Sequence, residues 1–257
     1  MRIFFAVLLC LISTLSWSAD YAREKNWADE IAPNIVVGDA IYLEQKSGHK
    51  FLALLTEAKD ARMGVIVVHG SGMNPDWELI GTLRTQLAEQ GYTTLSVQMP
   101  VLAKDAKHEA YARTFPDAVE RLQIAVNFLK SKGLNEIAIV SHSMGSRMSH
   151  AYLGKQPDAA VVAWATLGML NDTYAGIKIP VLDLYGQHDL PDVLKGAKKR
   201  GTSLKGKPGA KQVVIANTDH FYTDHQAEMV AAVKSFLDSV KLKPAHHCAS
   251  ERRNKPL

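Results

Sequence analysis

The order of apolar runs predicts an α/β fold: a mostly parallel central sheet with helices on both faces, entered through an antiparallel hairpin. Three observations carry this. Short apolar runs alternate with stretches of helical periodicity from residue 64 onward, the pattern of a helix-flanked sheet. The runs read as buried on both faces, as parallel strands are. No Pro/Gly/Ser-rich linker and no internal repeat divides the chain, so residues 20–240 are expected to form one domain.

The hairpin is expected from Ala40 to Gln45 and Phe51 to Leu55, joined through Lys46-Ser47-Gly48-His49-Lys50. The later strands are expected at Gly64–Val68, Thr93–Val97, Ile137–Val140, Ala159–Leu167, Val181–Tyr185 and Gln212–Ala216. Helices are expected at 76–90, 116–132, 144–155, 191–203 and 224–240. Pro116 suits a first helical position, where its missing N–H is no loss, and Gly133 suits the end of the same helix.

Composition is that of a globular chain, with 47% apolar and 22% charged residues. The first 19 residues stand apart. Arg2 precedes an apolar run from Ile3 to Ile12, then small residues up to Ala19 before the first acid, Asp20. This is the build of a secretory signal peptide, and the run is shorter than the roughly 20 residues of a membrane span. The alternative is a buried N-terminal helix. Export is therefore expected, to the periplasm in a Gram-negative cell. Without the leader, Cys248 is the one remaining cysteine, so the fold is expected to stand without an internal disulfide.

The net charge of +4 belongs to the ends. Residues 241–257 hold Lys241, Lys243, Arg252, Arg253 and Lys255 against Glu251 alone. That segment reads as a basic, disordered tail, and the body of the chain is close to neutral, which argues against nucleic acid as a partner. His246-His247-Cys248 has no second ligand cluster to make a metal site with. No metal or organic cofactor is expected.

The chemistry-bearing stretch is "IAIVSHSMGSRMSHAY", residues 137–152. A buried strand runs into Ser141-His142-Ser143-Met144-Gly145 and then into a helix, the arrangement of a nucleophile elbow. Small residues two before and two after the serine let strand and helix approach closely. Gly145 satisfies this fully, and Ser141 stands where the usual residue is glycine. The Met144 N–H would lie at a helix N-terminus, free to face an oxyanion. The competing reading is a serine helix cap. A serine nucleophile needs a base, and the base an orienting group. Tyr185-Gly186-Gln187-His188-Asp189 follows one strand and Asn217-Thr218-Asp219-His220-Phe221 follows the last, giving the chain order Ser, Asp, His. His188 and His225 compete with His220, and Asp172 competes with Asp189, which could instead cap the helix at Pro191. Upstream, the glycines of His69-Gly70-Ser71-Gly72 can turn backbone N–H groups toward a developing negative charge. His69 is expected to brace its own loop. Asp183, inside a strand, is expected to need a buried partner.

Through "HGSGMNPDW", "SHSMG", "VLDLYGQHD" and "TDHFY", the chain resembles the α/β-hydrolase superfamily over roughly residues 40 to 240. More narrowly it resembles an exported bacterial group of that fold, DUF3530. The resemblance implies Ser143 as nucleophile, Asp189 as acid and His220 as base. It also implies oxyanion-hole N–H groups from Met144 and from Ser71 or Gly72. About a dozen residues separate Leu167 from Ile179, a plain connection rather than a cap domain. The site is thus expected to be open, rimmed by residues 100–115 and 186–211.

Lys195, Lys198, Lys199, Arg200, Lys205, Lys207 and Lys211 form a run without an acid. Lys198, Lys199 and Arg200 are read as a substrate rim that attracts an anionic substrate or an anionic envelope surface; the other reading is a solvated face. Three functions share these residues: an exported serine esterase working on a small ester through an acyl-enzyme, a peptidase or amidase with the same triad, and a non-catalytic envelope-interaction protein on the same fold. If the leader is removed, intact-mass measurement on the exported fraction will find a chain beginning near Ala19 or Asp20. An intact Met1 on protein from the cytosol would defeat that expectation.

Overall fold

A computed structural model describes residues 19–155, 157–171 and 173–241. The expectations for the leader before Ala19, for the tail beyond Lys241 and for Asp172 fall outside these residues. The elements are α1 (Tyr21–Ile31), β1 (Asp39–Glu44), β2 (Lys50–Thr56), β3 (Gly64–Val68), α2 (Glu78–Glu89), β4 (Thr93–Val97), α3 (Phe115–Ser131), β5 (Ile137–His142), α4 (Met144–Leu153), β6 (Val161–Leu167), β7 (Val181–Gly186), α5 (Pro191–Leu204), β8 (Lys211–Ile215) and α6 (Gln226–Ser239). Short 3-10 segments cover Ala32–Asn34 and His108–Thr114.

The strands form one eight-stranded sheet in the order β1-β2-β4-β3-β5-β6-β7-β8. β2 is antiparallel to both β1 and β4, and all later pairings are parallel. Only β2 therefore runs against the rest. Alternate residues of each central strand face opposite layers. Ile66, Val68, Ile137 and Ile139 pack with Leu122, Val126 and Leu129 of α3 and with Met148 and Tyr152 of α4. Val65, Val67, Ala138 and Val140 pack with Leu79, Leu83 and Leu87 of α2 and with Val233, Phe236 and Leu237 of α6. The apolar runs had to be apolar on both faces because both are covered. β8 is the exception: it ends the sheet, and only its last residue, Ile215, is buried.

Expected elements end within one or two residues of those observed. The helix α1 was not anticipated. Tyr21–Ile31 has a weak apolar stripe, with only Glu24 and Ala28 buried. Its start is nonetheless marked, because the Asp20 side chain accepts from the Arg23 N–H at 3.0 Å. Long-range polar contacts secure it. Glu24 pairs with fully buried Arg121 of α3 at 2.9 Å, and Arg121 also donates to Gln45 and to the Gln98 carbonyl.

The basic run is corrected in two respects. Arg200 is not on a rim: it is fully buried, and its Nε sits 3.0 and 3.1 Å from the two carboxylate oxygens of Asp183. This is the partner that Asp183 requires, completed by Tyr174 Oη and Gln212 Nε2 at 2.8 Å each. Lys198 and Lys199 are exposed, but they lie midway along α5. Because β7 and β8 are parallel, α5 must carry the chain from the C-terminal edge of the sheet back to the opposite edge. The lysines follow it away from the end of β5, and Lys207 donates to the carbonyls of Tyr174 and Ile177.

Arg200→Met will leave the Asp183 carboxylate buried without its cation, at a cost of about 3–5 kcal/mol. Lys198→Ala will stay within about 0.5 kcal/mol of the parent. Urea unfolding followed by circular dichroism distinguishes them, and equal midpoints for the two variants would show that Arg200 is not held as described.

Candidate active site

Ser143 follows β5 directly, with φ 54° and ψ −120°. A serine rarely takes positive φ, and such strain persists only where the surroundings impose it. Here they do. A Cβ on Gly145 would lie 2.4 Å from the His69 carbonyl oxygen and 2.8 Å from that of Val68, so the first turn of α4 packs on the end of β3 with no room for a side chain. The Ser143 N–H donates to Leu167 O at 2.8 Å, which ties the turn to the end of β6. The serine side chain makes no helix-cap hydrogen bond, against the capping alternative.

Ser141 has its own reason to be a serine. Its Oγ accepts from the indole N–H of buried Trp164 at 2.8 Å, and it donates to Ser146 Oγ at 3.1 Å. Glycine there would leave the indole unpaired, a loss of about 1–3 kcal/mol.

Asp189 and His220 come from the loops after β7 and β8. His220 Nδ1–H donates to Asp189 Oδ1 at 2.6 Å, with both residues buried. The carboxylate also accepts from Leu190 N at 2.7 Å and Gly186 N at 3.2 Å, which fixes its rotamer. The two loops are interlocked. His188 N donates to Thr218 O and Gln187 N to Ile215 O, each at 2.8 Å, and a Cβ on Gly186 would meet Asp219 O at 2.4 Å. His220 is packed against the end of β6, where a Cβ on Gly168 would lie 2.7 Å from its Nδ1. Neither Ser143 Oγ nor His220 Nε2 is bonded to another described group, and neither is sealed from solvent. The rivals are elsewhere: His188 is exposed, and His225 precedes α6 and faces Glu228.

The turn after β3 completes the site. A Cβ on Gly70 would be 3.1 Å from Ser143 Cβ, so the turn rests on the nucleophile elbow at that glycine. Ser71 follows immediately, while Gly72, with φ 71°, is exposed beside Arg23 of α1. Met144 begins α4, where its N–H has no partner within the helix. His69 does brace this turn, donating from Nδ1 to Gly70 O at 2.8 Å and accepting at Nε2 from Met99 N at 2.9 Å. Trp77 and Phe221 meet edge to face at 5.5 Å, and Phe221 lies against His220 at 5.3 Å. They form an apolar patch beside His220. Residues 168–171 and 173–180 contain no helix or strand, so the described part of this connection builds no cap.

Gly168 and His142 have no role in the sequence reading, and Gly70 figures there only as a glycine that can turn backbone N–H groups. The two glycines follow strand ends at the catalytic edge, where close backbone approach is the reason for a glycine. Among the described residues, no group of three or more His, Cys, Asp or Glu side chains is placed to hold a metal ion, and no helix is long and apolar enough to cross a membrane.

Residues 22–120 match the family described as "Protein of unknown function (DUF3530)". The match takes in the turn after β3 and ends before Ser143. No curated protein matches the chain. A dienelactone hydrolase from Anabaena variabilis superposes with a TM-score of 0.63 at 18% identity, over 79% of this chain and 97% of that one. An α/β serine hydrolase without lid from Xanthomonas campestris gives 0.65 at 13%, over 82% and 98%. An esterase from Pyrococcus furiosus gives 0.59 at 15%, over 78% and 89%. The chain has the α/β-hydrolase fold, as its motifs lead one to expect.

Burial pushes the His69 imidazole down to about 4 and that of His142 to about 3, from an ordinary value of 6.5. Both are neutral when folded, whereas the unfolded chain takes up protons below pH 6.5. Stability is therefore complete above that pH and is lost as pH falls toward 4 and 3. At pH 4.5 the loss is about 2–3 kcal/mol for each buried ring. Unfolding free energies at pH 7 and 4.5 will differ less in His69→Gln than in the parent by that amount; an unchanged pH dependence would show that His69 is not buried neutral.

Proposed function

We propose that the protein is a serine hydrolase that cleaves carboxylic esters through an acyl-enzyme. One observation carries this reading: a strained, capless Ser143 follows His142, which is bonded to the main chain of His220, and His220 is bonded to Asp189 at 2.6 Å. In this reading Ser143 Oγ attacks the ester carbonyl, and His220 Nε2 takes its proton. Asp189 holds the ring in the tautomer that leaves Nε2 free and stabilises the imidazolium. The tetrahedral oxyanion would lie between the N–H of Met144 and that of Ser71, the residue that follows the contact of Gly70 with Ser143. His220 then protonates the departing alkoxide. Water attacks the acyl-enzyme with His220 again as base, and the carboxylic acid leaves.

The Trp77–Phe221 patch suits an apolar acyl or alcohol group, and no charged partner is required of the substrate. The plain connection between β6 and β7 favours small soluble esters over lipid emulsions. Processing at the N-terminus and work outside the cytosol are part of the proposal, carried by the leader-like sequence before Asp20.

Ser143→Ala will abolish labelling by a fluorophosphonate probe and lower turnover of p-nitrophenyl acetate by at least about 10³-fold, with circular dichroism unchanged. Unchanged turnover in that variant removes Ser143 from the mechanism. With the native protein, the rate on short-chain esters will rise smoothly with concentration through the solubility limit. An abrupt rise there would mean that another segment, such as His108–Thr114, acts as a lid.

A further inference from the structure

We propose that His142 is a positioning residue for this reaction, tying the backbone of the loop that carries His220 to the strand that carries Ser143. The proposal rests on the serine-hydrolase reading of the site. His142 ends β5 and is fully buried. Its Nε2–H donates to the backbone carbonyl of His220 at 2.9 Å. The two rings lie 4.7 Å apart, centroid to centroid, tilted by 44°. On its other side, His142 Nδ1 faces Gly70, where a Cβ would be 3.2 Å away. One imidazole thus touches the base loop and the turn after β3 while belonging to the elbow itself.

Packing alone is a poor explanation for this histidine. Nδ1 is buried without a hydrogen-bond partner, which is a net cost to the fold. A leucine or methionine would fill similar space without stranding a nitrogen. What histidine offers over them is the Nε2–H, and this reaches the main chain of the proposed base. The bond from Asp189 sets the rotation of the His220 ring, and the bond from His142 sets the position of the backbone that bears it. Together they decide where His220 Nε2 points. Misplacement of a reacting group by about 1 Å can cost about 10²-fold in rate.

The test compares His142→Leu with His142→Gln, whose amide N–H can stand near the position of Nε2–H. With p-nitrophenyl acetate, His142→Leu is expected to lower kcat by about 30-fold or more while KM stays within about threefold. His142→Gln should recover most of the loss. His142→Met takes the place of the leucine variant should that one not fold. Hydrogen exchange needs no turnover: amides of residues 217–224 should exchange faster in the apolar variant and return toward native rates in His142→Gln. Equal loss of kcat in both variants, or native exchange in the apolar one, would overturn the proposal. If the native protein turns over no ester and takes no fluorophosphonate, the hydrolase reading falls, and the exchange measurements alone decide whether the tether exists.

Discussion

Everything at the C-terminal edge of the sheet depends on how closely the first turn of α4 packs on the end of β3. The main-chain oxygens of Val68 and His69 come so close to Gly145 that no side chain fits between them. The chain can pass from β5 into so close a helix only by turning sharply at the residue before α4, and that turn holds Ser143 at φ 54°. The strain is local, whereas the forces that sustain it come from the sheet. Ser143 N is bonded to the end of β6, and the parallel ladders to β3 and β6 fix both flanks of β5. A strained residue lasts only where its surroundings leave it no other conformation. Two buried layers, each covered by helices, supply that condition.

The same logic of close backbone approach recurs at the partner loops. Gly186 allows the loop after β7 to rest on the carbonyls of Thr218 and Asp219, and Gly168 allows the end of β6 to rest on the His220 ring. These contacts join segments far apart in sequence into one rigid rim. In the proposed reaction a preorganised rim would matter because donors aimed at a developing oxyanion stabilise it best when nothing has to move to meet it. Trp77 and Phe221 add apolar surface beside His220.

Most of the sheet was legible because parallel strands covered on both sides must be apolar throughout, and runs such as Gly64–Val68 and Ile137–Val140 carry that requirement openly. The order of Ser143, Asp189 and His220 was legible because each stands just past a strand end. Three features were not. The helix α1 was hidden because Glu24, a charged residue, provides much of its anchorage, and its partner Arg121 lies far along the chain. Arg200 was misread because a run of cations looks solvated in sequence, while the carboxylate that draws it inward sits on β7. Ser141 looked like an imperfect glycine because nothing local shows that Trp164 of the next strand needs an acceptor there. In each case the deciding contact is polar, buried and long-range, which is the class of interaction that periodicity does not report.

Those contacts also explain why residues upstream of the sheet belong to the site. The stretch that leaves β4 is held from several directions. Arg121 donates to Gln98 O, and His69 Nε2 accepts from Met99 N. Glu24 accepts from Val101 N, while Asp20 N donates to Val101 O and Arg23 to Leu102 O. Buried ion pairs such as Glu24–Arg121 contribute little net stability once desolvation is counted, but breaking one leaves a charge stranded. The pair therefore acts less as a source of stability than as a penalty on any other arrangement of α1. α1 also brings Arg23 beside Gly72, at the outer end of the turn whose inner end lies against Ser143. A chain of contacts thereby links the first described helix to the elbow, from Asp20 through the 98–102 stretch to His69 and the turn that lies against Ser143.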